Sequence, residues 1–138
     1  MASGVYNQFK TELMNKVYDL EADTVRVALY DNSHSFNADN TGYTATNEIT
    51  GTGYTAKGEA LASKAVTQDD TDDEGVFDAA DLQWTSSSFT AYHAVIFDDT
   101  PTSPADPLVC SIDFGGAQTV TSGTFTIQWA AEGIINIG

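Results

Sequence analysis

The sequence predicts a mainly β fold, an antiparallel β-sandwich or jelly-roll-like barrel with one N-terminal α-helix. About seven or eight short segments after residue 24 alternate apolar with polar residues, the pattern of strands that place one face on a core. Clusters of Gly, Asn, Asp and Ser separate these segments, as short turns between antiparallel strands require. Helical apolar spacing is clearest in the first twenty residues.

The chain has 138 residues, which predicts a single domain with one hydrophobic core. We expect a helix over about residues 4–20 and a sandwich over about residues 24–138. Ser3 stands where an N-cap residue would precede the helix. The apolar residues that recur at steps of three and four are Tyr6, Phe9, Leu13, Val17 and Leu20.

Two segments indicate how the sheet is arranged. Phe89–Phe97 is apolar on both faces, which is typical of a central strand covered on both sides, and Ser86–Ser88 before it is expected to be a turn. Leu108–Phe114 alternates, and we expect its apolar residues to point inward. The other predicted strands are Thr24–Tyr30, Ala60–Thr67 (weak), Val76–Phe77, Leu82–Trp84, Thr124–Trp129 and Gly133–Ile137.

A long polar segment over about residues 31–53 is expected to be a loop with one short extended piece near Glu48–Thr50. Loops of this length inside a compact domain usually serve binding. This loop and the N-terminal helix are therefore the predicted contact regions. The interface candidates are Tyr6, Phe9, Leu13, Phe36, Tyr43 and Tyr54.

The charge balance excludes one class of partner. Five Lys and Arg residues stand against twenty Asp and Glu, the net charge is −15, and no basic residue follows Lys64. Such a surface repels phosphate, so we expect no nucleic-acid partner and favour a neutral or basic protein surface. The N-terminus lacks the features of a signal peptide, and no apolar run approaches the roughly 20 residues of a bilayer span, which predicts a soluble protein without a membrane partner.

Five carboxylates fall within six residues, and oxygen ligands in a flexible loop are what calcium prefers. Their spacing is not that of an EF-hand loop, so a solvated acidic turn is the favoured interpretation and a metal site the weaker one. These residues are Asp69, Asp70, Asp72, Asp73 and Glu74.

The remaining reactive side chains favour structural roles. We expect His93, in an apolar strand with Phe89, Ala91, Val95 and Phe97 on its face, to be a packed histidine, and Cys110 to be a small buried hydrophobe. His34 lies in the polar loop without a second ligand at metal spacing. We therefore predict a non-enzymatic protein without a cofactor, although carboxylate pairs for glycoside hydrolysis stay open because their separation exists only in three dimensions. Trp84 and Trp129 are expected in the core or an interface, with a carbohydrate groove as the alternative.

Several segments taken together resemble one family. They are Val5–Leu20, Asp23–Leu29, Glu48–Gly58, Asp78–Thr85, Ile112–Gly116 and Phe125–Trp129. In this order they resemble small structural proteins of tailed-bacteriophage virions, and most closely capsid decoration (cement) proteins. The resemblance extends over nearly the whole chain.

The resemblance implies a non-enzymatic protein that binds the major capsid protein on the outside of the assembled head. It further implies a homo-oligomer, with a trimer favoured, made in the cytoplasm of a bacterial host and located in the virion. Two alternatives stay open. One is a tail, connector or fibre component, and the other is a carbohydrate-binding module.

Overall fold

The computed structural model describes residues 3–138 and confirms the predicted class: the chain is mainly β, with two antiparallel sheets and one short helix near the N-terminus. The arrangement is sandwich-like and is not a closed barrel. The elements in chain order are β1 (Gly4–Val5), α1 (Asn7–Met14), β2 (Val25–Tyr30), β3 (Glu59–Ala60), β4 (Ala65–Asp69), β5 (Glu74–Asp78), β6 (Leu82–Asp98), β7 (Leu108–Ile127) and β8 (Ile135–Ile137).

The large sheet has the strand order β1-β7-β6-β2-β3, and the small sheet has the order β4-β5-β8. Strands β6 and β7 are 17 and 20 residues long and form a continuous antiparallel ribbon. One end of this ribbon lies between β1 and β2, while the other extends beyond them. The expected turn at Ser86–Ser88 is wrong, because these residues are an irregular part of β6 opposite Gly123, and Ser86 has a φ of 49°.

A second irregularity lies between Ala91 and His93 of β6. Ala91 pairs with Gln118 but His93 pairs with Asp113, so the alternation of side chains between the two faces of the sheet shifts by one residue at this step. Phe89 and Ala91 therefore pack in the main core. His93 lies on the opposite side with Val95 and Phe97, which corrects the expectation that all five of these residues share one face.

Two apolar clusters cover the two faces of the large sheet. The main core joins one face to the small sheet, through Phe77 and Ile135, and to Phe9 of α1. The second core lies on the other face. Its members are Tyr6, Ala28, Tyr30, Val95, Phe97 and Leu108, with Phe36 and Tyr43 packed against them.

The predicted central strand Phe89–Phe97 is covered on both sides only in its second half, since residues 93–98 are all buried whereas Thr90 is exposed. The cover on the second side is not another sheet. It is the long loop, which supplies Phe36 and Tyr43 to the second core and adds the isolated bridge between Tyr30 and Glu48.

The N-terminal helix is shorter than expected. Gly4 and Val5 form β1 and pair with β7, Tyr6 occupies the N-cap position, and the Ser3 hydroxyl instead accepts a hydrogen bond from the Asp113 backbone N–H at 2.8 Å. The helix ends at Met14. Val17, Tyr18 and Leu20 still pack in or against the main core, so the apolar spacing continued after the helical backbone had ended. None of the helical residues within 3–138 forms a segment long and apolar enough to cross a membrane.

Two other predicted strands differ in their bounds. The weak strand Ala60–Thr67 is two strands, because the chain leaves the large sheet after β3 and enters the small sheet at β4. Leu61 is buried at this crossing. The expected strand Thr124–Trp129 is the end of β7, which stops at Ile127, and β8 completes the small sheet by pairing with β5.

Gly58, directly before β3, packs against β2 of the large sheet. It has a φ of +68°, and a Cβ atom placed on it would lie 1.8 Å from the Val27 carbonyl oxygen. Both the backbone conformation and the lack of space therefore require glycine.

Gly58→Ala is expected to lower the free energy of unfolding by roughly 2 to 4 kcal/mol, because it adds φ strain and an overlap with β2. Urea denaturation measures this change. Gly75→Ala is the matched control, since nothing lies within 4 Å of its Cβ position. Equal unfolding midpoints for the two variants would contradict the close packing of the loop on β2.

Candidate interaction surfaces

One carboxylate joins three residues of the long loop to one another. Glu48 accepts hydrogen bonds from the Tyr43 hydroxyl, from the Tyr54 hydroxyl at 2.5 Å and from the Lys57 backbone N–H at 2.8 Å. The Tyr54 oxygen also accepts the Leu29 N–H at 2.9 Å, which links the loop to β2. Burial, and then the hydrogen bond to Glu48, raises the pKa of both tyrosines, so both hydroxyls stay protonated and donate.

An ion network continues from the same loop. The Lys57 ammonium lies 2.9 Å from a carboxylate oxygen of both Asp99 and Asp106, and Arg26 lies 2.7 Å from the other oxygen of Asp99. The Lys57 ammonium is also 5.5 Å from the centre of the Tyr43 ring. Burial by itself would raise the pKa of Asp99, but its hydrogen bonds, chiefly from Lys57, hold that pKa below its usual value.

Aromatic side chains complete the attachment. Tyr43 stacks on Phe97 with ring centroids 4.8 Å apart, Phe36 lies 5.0 Å from Tyr6, and the Tyr30 hydroxyl donates to the Thr44 carbonyl at 2.6 Å. The loop between β2 and β3 is therefore a fixed surface with its own core, although the sequence suggested only an extended polar segment.

The six interface candidates fall into two groups. Tyr6 and Phe9 are 1% and 2% exposed, so their side chains belong to the two cores and present no surface to another protein. The others are partly exposed at the base of the loop or on the helix: Leu13, Phe36, Tyr43 and Tyr54.

A cleft beside the loop contains both histidines. The His34 and His93 rings meet edge to face with centroids 5.0 Å apart, His34 Nε2 lies 3.2 Å from the Ser111 hydroxyl, and His93 Nδ1 lies 3.9 Å from Asp113. Burial lowers the pKa of both rings. Ser111 is 2% exposed, and its hydroxyl contacts both Tyr6 and His34, so it links the loop to β7. Sequence reasoning missed this pair because only the tertiary fold joins the loop to β6.

The acidic segment is the turn of the β4–β5 hairpin, as predicted. Carboxylate oxygens of Asp69, Asp72 and Glu74 lie within 4.8 Å of one another, so the turn brings together three of the five candidate metal ligands. Asp69 accepts the Thr71 and Asp72 backbone N–H groups at 2.9 and 3.2 Å, which shape the turn without any cation. The position of the turn agrees with the sequence, and the choice between a solvated acidic turn and a metal site stays a prediction.

The two tryptophans have different roles. Trp84 is 1% exposed in the main core, as the core interpretation expected. Trp129 is partly exposed, and its indole N–H donates to the Ala80 carbonyl at 3.1 Å. It borders a groove of about 640 Å³ that also contains Phe114 and Gln128 and has uncharged side chains throughout its lining.

Cys110 is buried in the main core, and burial raises the pKa of its thiol to about 12. The thiol is therefore protonated and screened from solvent, which agrees with the expected role as a small hydrophobe.

Asp98 is the buried carboxyl group with the largest pKa displacement. It is 0% exposed, and its Oδ1 accepts the Thr100 N–H at 3.1 Å, whereas Oδ2 meets no donor within residues 3–138. The neighbouring group is the Asp23 carboxyl, so the two can hydrogen-bond only when one is protonated. Burial, and then this neighbour, raises the pKa of Asp98 to about 8.

Comparison of the chain with protein-family models, with curated proteins and with solved structures found no match.

The raised pKa of Asp98 predicts a specific pH dependence. Between its ordinary pKa of 3.8 and about 8, the unfolded chain releases this proton while the folded chain keeps it, so the group lowers stability as pH rises. Asp98→Asn imitates the protonated form and removes this loss. The free energy of unfolding of the variant, relative to that of the unmodified protein, is therefore expected to be higher at pH 8 than at pH 5. Urea denaturation at the two pH values measures this difference.

Asp99→Asn is the matched control. Its pKa is lowered, so it is ionised in both states throughout that pH range, and its replacement should reduce stability by a similar amount at both pH values. A constant difference between Asp98→Asn and the unmodified protein would contradict a shared proton at Asp98.

Proposed function

We propose that this chain is a non-enzymatic structural protein of a tailed-bacteriophage virion, and specifically a capsid decoration protein on the outside of the head. The observation that carries the proposal is the ordering of the long loop. Glu48, which bonds within the loop, and Lys57, which ties it to Asp99 and Asp106, both lie in the Glu48–Gly58 segment of the resemblance. The ionisable groups of this segment are used to hold a surface in place.

A fixed loop suits a protein that must recognise a repeated shell surface. Association costs conformational entropy when loops become ordered on binding, and a loop already packed on its own sheet avoids most of that cost. Tyr43 and Tyr54 stay partly exposed while their hydroxyls are held by Glu48, so they offer preorganised aromatic area.

The charge of the chain supports an outward position. At the inner wall of a head, a protein with a net charge of −15 would be repelled by the packaged DNA. On the outer surface it does not meet that DNA. The proposed partner is the major capsid protein, with sister copies of this chain as the second contact; the resemblance favours a trimer. A tail, connector or fibre component shares the β architecture and the acidity, and it is the first alternative.

The groove beside Trp129 favours a second candidate, a carbohydrate-binding module. Sugars bind to aromatic faces flanked by amide and hydroxyl groups, and here Trp129 and Phe114 lie with Gln118, Gln128 and Thr124 in an uncharged lining. The indole is fixed by its bond to Ala80, so its ring does not need to be ordered on binding.

Electron microscopy tests the main proposal. Gold-labelled antibodies raised against the purified chain are expected to decorate the heads of particles from a phage whose genome encodes it. Pre-immune serum is the control. Label confined to tails would favour the alternative location, and particles without the protein in label and in mass spectra would overturn a virion role.

Glycan arrays test the second candidate. If the groove binds sugar, Trp129→Ala is expected to weaken binding at least about tenfold, because stacking of the sugar on the ring is lost. Tyr92→Ala, which removes a partly exposed aromatic ring outside the groove, is the matched control and should leave binding unchanged. Absence of binding by the unmodified protein would remove this candidate.

A further inference from the structure

Large apolar side chains are exposed at three places in the described chain. Met14 is 81% exposed, Val66 48% and Ile137 51%. They fall into two patches, one on α1 and one on the small sheet. The two patches differ in the sign of the charges around them.

The helix patch consists of Lys10, Met14 and Lys16. Lys10 and Met14 are four residues apart on α1 and so lie on one face, and Lys16 follows two residues after the helix ends. All three are exposed, and neither lysine forms a salt bridge within residues 3–138. The other three basic residues are engaged inside the fold: Arg26 and Lys57 with carboxylates and Lys64 with the Asp23 carbonyl.

The hairpin patch begins with Val66 and Ile137. Across the small sheet Val66 pairs with Phe77, which pairs with Ile135, and one step further Gly75 pairs with Ile137. Paired residues share a face, so Val66 and Ile137 extend the same side on which Phe77 and Ile135 are buried. The face of the small sheet that packs on the main core therefore extends past the core, and its outer part is exposed to solvent.

This uncovered end forms a shallow groove of about 580 Å³. Gly75 forms part of its floor, and nothing lies within 4 Å of the position where a Cβ would be. The turn end of the groove is acidic, and we include its two turn carboxylates, Asp70 and Asp73, in the hairpin patch as its acidic rim. Asp69 and Glu74 pair one step from Gly75 and so point to the opposite side of the sheet. The result is an apolar floor with negative charge at one end.

We propose that the helix patch of one copy of this chain docks on the hairpin patch of another. Met14 fills the space over Gly75 between Val66 and Ile137, and the two lysines face the acidic rim. The patches cannot serve each other within one chain, because α1 packs on β7 of the large sheet while the exposed residues of both patches remain in solvent.

Charge complementarity selects this head-to-tail contact over a symmetric one. A two-fold contact between two hairpin patches would bring two acidic rims together in a protein that already has a net charge of −15. A contact between two helix patches would bring four lysines together. A contact between a helix patch and a hairpin patch avoids both kinds of like-charge repulsion. When such contacts repeat around a rotation axis, the copies close into a ring.

The inference does not depend on the proposed function, because it concerns purified protein without a shell. Sedimentation equilibrium at low salt measures the mass of the unmodified chain. We expect a concentration-dependent oligomer that dissociates as salt is raised, since exposed ion pairs are screened.

Charge reversal of either patch tests the contact. Lys10→Glu with Lys16→Glu, and separately Asp70→Lys with Asp73→Lys, are each expected to raise the dissociation constant at least about tenfold. All four substitutions in one chain exchange the charges of the two patches and restore the original net charge. This combined variant is expected to associate like the unmodified chain.

Glu21→Lys with Glu59→Lys is the matched control, because it changes net charge as much as the hairpin reversal but at exposed residues outside both patches. It should leave the dissociation constant within about twofold after correction for net charge. Unfolding midpoints confirm that each variant is folded. A monomeric unmodified chain, an unchanged constant in either reversal, or failure of the combined variant to associate would overturn the proposal.

Discussion

The antiparallel pairing of β6 with β7 is the constraint on which the rest of the structure depends. Near its closed end this ribbon is the middle of the large sheet, and further out it packs with the small sheet around the main core. A regular ribbon would keep one set of residues on one face along its whole length. The irregularity between Ala91 and His93 shifts this alternation by one residue, so Ala94 and Ile96 continue the main-core face while Val95 and Phe97 point into the second core.

The second core poses a different physical problem, because a loop covers it. A sheet attaches to its neighbour through repeated backbone hydrogen bonds, whereas the loop between β2 and β3 contributes few of them. Glu48, Lys57 and the aromatic contacts of Tyr43 replace that ladder with side-chain bonds. Because these groups already bond to one another, the loop presents a defined surface.

The scarcity of basic residues makes the surface of the chain predominantly negative. Three of the five are used inside the fold, and the two that remain lie on or just after α1. Of the twenty acidic residues, all but the buried Asp98 are exposed or half-buried. Long-range repulsion therefore opposes contacts with other acidic surfaces. The few places where the surface is not acidic favour particular contacts over others.

The sequence by itself determined the mainly β class, the strand β2, the acidic turn, and the burial of Cys110 and Trp84, since each depends on local alternation or composition. It could not determine where α1 ends, because the spacing of apolar residues indicates which residues are buried and not which are helical. Tyr18 is buried although the helix has already ended. It could not place His93 on its true face either, because one irregular step shifts the phase of every later residue. The tertiary structure alone decided that the loop forms a core and that His34 meets His93, because those contacts join segments far apart in the chain whose pairing no local pattern encodes.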